Sequence, residues 1–155
     1  MKKILLSIVA IATMANLVLA QTSGGPDAYG YTWKDSFDPS GPVYNWIDIV
    51  TLPDAQEVKL LSDDNTRGPF NLQAPFHFYW YDVTHFWVGS NGYIAFNNAQ
   101  LSSPFKAIPD TSLPQDFIAA MESDLNFDGA GNTAQCWYWQ SANSDSLVIS
   151  WIGVP

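Results

Sequence analysis

The chain has 155 residues, with 15 acidic against 6 basic side chains and a net charge of −9. An apolar content of 47% suffices for one buried core and excludes a disordered tail, while the acidic balance repels nucleic acid and anionic lipid headgroups. A single cysteine, Cys136, excludes an internal disulfide.

Residues 1–20 read as a signal peptide. Lys2 and Lys3 open a positively charged start, residues 4–12 are almost purely apolar, and Val18-Leu19-Ala20 offers small residues at a cleavage site. Thr13 and Asn16 interrupt the run, which is too short for a membrane anchor. The mature chain is expected to begin at Gln21, to carry a net charge of −11 once two lysines are lost, and not to insert into a membrane.

Residues 21–42 are expected to be an extended N-terminal segment, and residues 43–155 one β-sandwich domain. Across residues 43–50, Val43, Ile47 and Ile49 alternate with Tyr44, Trp46 and Asp48, the period of two that predicts a half-buried strand. Phe76, Phe78 and Trp80 alternate in the same way with His77, Tyr79 and Tyr81. The runs 85–89 and 93–97 flank Ser90-Asn91-Gly92, and Asn-Gly between apolar runs predicts a hairpin. A second hairpin is predicted from residues 135–142 and 146–153 around Asn143-Ser144-Asp145. Prolines and glycines fall between these runs, as at Gly41-Pro42, Gly68-Pro69 and Asp128-Gly129, where they end strands.

The stretch from Ser112 to Glu122 admits two readings. Ser112-Leu113-Pro114-Gln115 has the spacing of a helix capping box, and good helix formers follow; residues 117–121 also fit a buried strand. The predicted fold is all-β, a mainly antiparallel sandwich, with Ile47, Ile49, Phe78, Val88, Ile94, Phe96, Trp139, Ile149 and Trp151 in the core. The abrupt end at Val154-Pro155 after an apolar strand leads to the expectation of a C-terminally truncated domain prone to aggregation.

Two stretches carry a family resemblance. Gly30-Tyr31-Thr32-Trp33-Lys34-Asp35-Ser36, followed by Gly41-Pro42-Val43-Tyr44-Asn45-Trp46-Ile47-Asp48-Ile49, resembles the opening of a domain in large secreted bacterial proteins that use the type IX secretion route. Leu61-Ser62-Asp63-Asp64-Asn65, Gly68-Pro69-Phe70, Phe76-His77-Phe78-Tyr79 and Val88-Gly89-Ser90-Asn91-Gly92-Tyr93-Ile94-Ala95-Phe96 are similar to nidogen-like extracellular domains. That family has a strand ending in Asp-Leu after the hairpin. Here residues 118–125 keep the ends of the pattern, which favours the strand reading over the helix. The resemblance implies a noncatalytic extracellular module, structural or adhesive, in a secreted or cell-surface protein whose partner is an extracellular protein or glycan surface.

The search for chemistry gives few positive signals. Gly89-Ser90-Asn91-Gly92 lacks the spacing of a nucleophile elbow, so Ser90 reads as a turn residue. His77 and His85 lie among aromatics without the further ligands that zinc requires. Asp63, Asp64, Glu122 and Asp124 are candidates for paired-carboxylate catalysis by residue type alone, and no catalytic residue is assigned. Asp124, Asn126 and Asp128 with Gly129 match the first half of a calcium loop, and Asn132 falls at its ninth position. Gln135 stands where such a loop needs a glutamate, so a solvated Asp-Gly turn is the competing reading, and the cofactor expectation is none or calcium. Trp33, Trp80 and Tyr81 are the aromatics picked out for stacking on sugar, which gives the alternative of a carbohydrate-binding accessory module of a secreted enzyme.

Overall fold

The computed structural model describes residues 21–155; the predicted signal peptide lies outside the described residues. Contacts divide the chain into two compact units, with the division after Trp46. Each is taken by itself.

In the first unit, residues 21–46, β1 (Ser23–Gly24) pairs antiparallel with β2 (Trp33–Lys34). The turn between them forms around Asp27, whose Oδ1 accepts the backbone N–H groups of Tyr29, Gly30 and Tyr31 at 2.8–2.9 Å. Asp35 and Asp38 organise the following turns in the same way, accepting from Phe37 and Ser40. A short aspartate side chain replaces the backbone acceptors that a regular element would supply.

The second unit is a two-sheet antiparallel sandwich, and no α-helix occurs among the described residues. One sheet has the order β3 (Gln56–Glu57), β8 (Gln135–Gln140), β9 (Leu147–Ile152). The other runs β4 (Thr66–Phe78), β5 (Tyr81–Gly89), β6 (Tyr93–Ala95), β7 (Phe117–Ala119). Alternation sorts the side chains. Phe86 and Val88 of β5 face Cys136 and Tyr138 of β8 across the interior, joined by Val58 and Leu61 and flanked by Phe70, Ile94, Phe96, Ile149 and Trp151. Phe70, Phe86 and Tyr138 have ring centroids 5.0–5.4 Å apart, so aromatic packing supplies much of the interior.

The opposite face of the four-stranded sheet is covered too. Tyr93, Ala95 and Trp87 lie beneath Ala99, Leu101, Phe105 and Leu113 of the long β6–β7 connection. The buried Tyr93 hydroxyl shares a 2.7 Å hydrogen bond with Thr66 Oγ1 and accepts the Leu101 N–H at 2.9 Å, so the polar end of the ring is satisfied. Side chains also bridge the sheets. Trp151 Nε1 donates to Gly89 O at 3.0 Å, and Gln140 both accepts from Gln73 N and donates to Asn71 O.

Both predicted hairpins form. β5 and β6 pair as Gly89↔Tyr93, Val88↔Ile94 and Trp87↔Ala95, with Gly92 at φ 77 in the loop. β8 and β9 pair along six residues each, with Ser144 at φ 62 in the turn. The ambiguous stretch is a strand at Phe117–Ala119. The capping-box spacing fails because Asp110, not a downstream glutamine, takes the Ser112 N–H and hydroxyl.

Three expectations are corrected. Residues 43–48 form no strand, and Val43, Tyr44, Trp46 and Ile47 are exposed. Alternation without a neighbouring strand leaves backbone groups to water, and the segment passes directly into a 3-10 turn at Ile49–Thr51, where only Ile49 is buried. Trp80 is not a strand residue: β4 stops at Phe78, Tyr79-Trp80 turn the chain, and β5 starts at Tyr81. Trp139 stands on the face of β8 opposite Tyr138, half-buried with its indole donating to Pro53 O at 3.1 Å, and so is outside the inter-sheet core, as is Ile47.

Candidate functional site

Two corners of the second unit gather polar chemistry. The first is acidic. Asp63 and Asp64, in the loop before β4, meet Asp124, in the loop after β7, with one carboxylate oxygen of each lying within 4.8 Å of the others. Asp128 joins them by accepting the Asp63 N–H at 3.2 Å. Burial first, and then the charges of Asp64, Asp124 and Asp128, hold the Asp63 carboxyl above the usual range.

Within the loop 124–132 two asparagines bond to the backbone. Asn126 Oδ1 accepts the Asp128 N–H at 2.7 Å, and Asn132 Nδ2 donates to Asn126 O and Asp128 O. Those two side chains thus shape the turn. The gathered carboxylates are Asp63, Asp64 and Asp124, and the Asp63-Asp64 contribution was invisible to loop spacing because it arrives from about 60 residues upstream.

Beneath this corner lies the Ser90-Asn91-Gly92 loop. Ser90 is fully buried, accepts the Asn65 N–H and donates its hydroxyl to Asp63 O, which leaves it a structural role in place of a nucleophilic one. The histidines are dispersed. His77 Nδ1 pairs with Asp82 at 2.7 Å on the exposed surface, and His85 Nδ1 shares a hydrogen bond with Thr84 Oγ1 at 2.8 Å. Glu122 stands apart from the acidic corner's ligand set and lines a separate small cavity beside Lys106 and Ser112.

The second corner is aromatic. Trp80 is 78% exposed at the tip of the β4–β5 hairpin, its ring centroid 5.4 Å from that of Tyr79. Tyr79 in turn meets Phe78 edge-on at 4.8 Å. These rings form one wall of a cavity of about 530 Å³, and residues 108–117 form the other. Tyr81, 40% exposed, hydrogen-bonds Asp116, and burial of its hydroxyl followed by that carboxylate push the phenol up to about 12. Of the aromatics picked out for ligand contact, Trp80 and Tyr81 thus fall at one corner of the second unit. Trp33, 49% exposed, belongs to the first unit. The 108–117 wall carried only the helix-or-strand signal from Ser112 onward, and nothing in it pointed to a cavity, because a loop with mixed Pro, Asp and Ser reads as a connection.

Cys136 carries no reactive chemistry. It is 1% exposed between the sheets, and burial pushes its thiol up to about 12, away from the thiolate that reacts.

Fold and surface together define an all-β sandwich module with an acidic and an aromatic corner. A family described as NIDO related matches residues 40–153, and the chain belongs to that nidogen-related family. No curated protein and no solved structure matches it. Among the described residues no helix is long and apolar enough to cross a membrane.

Proposed function

We propose that the protein is a noncatalytic extracellular module, structural or adhesive, of a secreted or cell-surface bacterial protein exported by the type IX route. The observation that carries this reading is membership of the nidogen-related family over residues 40–153. Supporting it, two of the groups weighed for catalysis are engaged elsewhere: Ser90 holds a loop and His77 pairs with Asp82. The module then acts by contact, through side chains displayed on a rigid sandwich.

Fractionation of the producing bacterium with N-terminal sequencing tests this. Recovery from the medium or outer surface with a chain beginning at Gln21 is expected. Retention in the cytoplasm with Met1 intact would overturn it.

A second reading, the carbohydrate-binding accessory module, is favoured by the exposure of Trp80 beside a cavity. Its test is a titration with neutral glycans followed by tryptophan fluorescence; an unchanged spectrum across the panel removes it.

A further inference from the structure

The aromatic corner is built from two segments distant in sequence. Phe78, Tyr79 and Trp80 face Ile108, Pro109, Asp110, Pro114, Asp116 and Phe117 across about 530 Å³. Among the described residues of this lining, the charged side chains are Asp110 and Asp116, and no lysine, arginine or histidine is present. Lys106 acts on Asp110 and donates to Ser112 Oγ at 2.7 Å, but it stands outside the lining. A cavity with aromatic faces and carboxylates, on a chain of net charge −9, is complementary to a cation.

The hydrogen bonds narrow the kind of cation. Asp110 Oδ1 already accepts the Ser112 N–H and hydroxyl at 2.8 and 2.6 Å. Asp116 holds the Tyr81 hydroxyl, and Gln115 Nε2 donates to Leu113 O at 3.0 Å. A sugar or a primary ammonium brings donors that would have to share Asp110 Oδ1 and the Tyr81-bound Asp116 with these groups or use the remaining carboxylate lone pairs. A quaternary ammonium brings none, and needs only negative charge and the faces of aromatic rings.

The backbone adds an independent observation. Tyr79 is the first of the two turn residues between Phe78 and Tyr81 and has φ 51, a conformation that glycine adopts with less strain. An aromatic residue is therefore not what the turn itself requires, and backbone strain of this kind collects at functional sites.

We propose that this cavity binds an organic cation of the quaternary ammonium type, with Tyr79 and Trp80 as its π faces and Asp110 and Asp116 as its counter-charge. The inference rests on the module being a binder, yet its failure would leave the extracellular structural role standing.

Titration of the whole chain with choline tests it, read from the Trp80 indole N–H resonance, which is identified by its loss in Trp80→Ala. A saturable shift is expected, weakening as ionic strength rises from about 20 mM to about 0.5 M. The neutral isostere 3,3-dimethylbutan-1-ol should give no comparable shift. Trp80→Ala should keep its melting temperature and weaken choline binding about fivefold or more, measured by calorimetry. Tyr79→Gly exchanges the ring contacts to Phe78 and Trp80 for relief of the positive φ, so it should lose affinity out of proportion to its change in melting temperature, a combination that a purely structural tyrosine would not give. Equal responses to choline and its isostere would overturn the proposal in favour of an apolar pocket. A response to neutral monosaccharides alone would reassign the cavity to sugar, and silence at about 100 mM choline, a concentration that would reveal even very weak binding, would remove the site.

Discussion

Asn91 Oδ1 accepts the Leu125 N–H at 3.0 Å, which fastens the β5–β6 hairpin loop to the loop that follows β7. The same amide donates to Leu101 O at 3.0 Å and to Asp64 Oδ1 at 2.8 Å. One fully buried side chain thus secures three loops.

Replacing Asn91 with alanine should cost about 2 to 3 kcal/mol, because it strands the buried Leu101 carbonyl and loses the bonds to Asp64 and Leu125, whose N–H keeps the Ser123 carbonyl. Asn91→Asp should be at least as harmful near neutral pH, since a second carboxylate then faces Asp64, and it should recover in part on acidification. Urea unfolding at two pH values measures both. A loss below about 0.5 kcal/mol for the alanine variant would show that the loops are held by other contacts.

Gly92, next in the chain, sits at φ 77 with the Met121 carbonyl where a Cβ would stand. Gly92→Ala therefore combines left-handed strain with a backbone clash. Destabilisation of about 3 kcal/mol or more is expected from thermal unfolding, larger than the figure for strain alone.

These two residues show which parts of the fold were legible. Asn-Gly between apolar runs marks a hairpin because its backbone needs are local, and the structure forms that hairpin in register. The alternation at Val43 to Ile49 was equally regular but misleading, since a strand also requires a neighbour that no local pattern reveals. Trp80 was picked out as a contact residue although its strand assignment was wrong: amphipathic exposure can be guessed, while the place where a hairpin folds back depends on Tyr79 adopting a conformation unusual for its type. The partners at both corners, Asp63 for Asp124 and Asp116 for Tyr81, come from remote loops and were hidden for the same reason.

The acidic groups predict a two-part pH profile. Asp63 has a folded pKa above its usual 3.8, so the fold binds its proton more tightly than the unfolded chain does. Its contribution is fully present at low pH and is lost as pH rises through the folded value. Asp110 and Asp145 are lowered from 3.8, chiefly by hydrogen bonds from Ser112 and Ser141, so they stabilise above 3.8 and lose that contribution as pH falls through their folded values. Melting temperature should rise slightly on acidification from neutrality, then fall below about pH 4. Asp63→Asn should raise the neutral-pH value and abolish the first phase; an unchanged profile would mean that the Asp63 carboxyl is not held above its usual range by burial and the neighbouring carboxylates.

Cys136 should be silent to thiol reagents at pH 8 in the folded protein and fully reactive in denaturant. Labelling under native conditions should therefore track global unfolding. Rapid modification without denaturant would indicate that the two sheets part locally around β8.

The separation of a buried aromatic interior from an exposed aromatic turn is tested most directly by denaturant unfolding of Phe86→Ala beside Trp80→Ala. Phe86 is 0% exposed and Trp80 78% exposed. The first should lose about 4 kcal/mol and the second no more than about 0.5 kcal/mol. Comparable losses in both would contradict it, because the turn would then hold the fold together as much as the interior does.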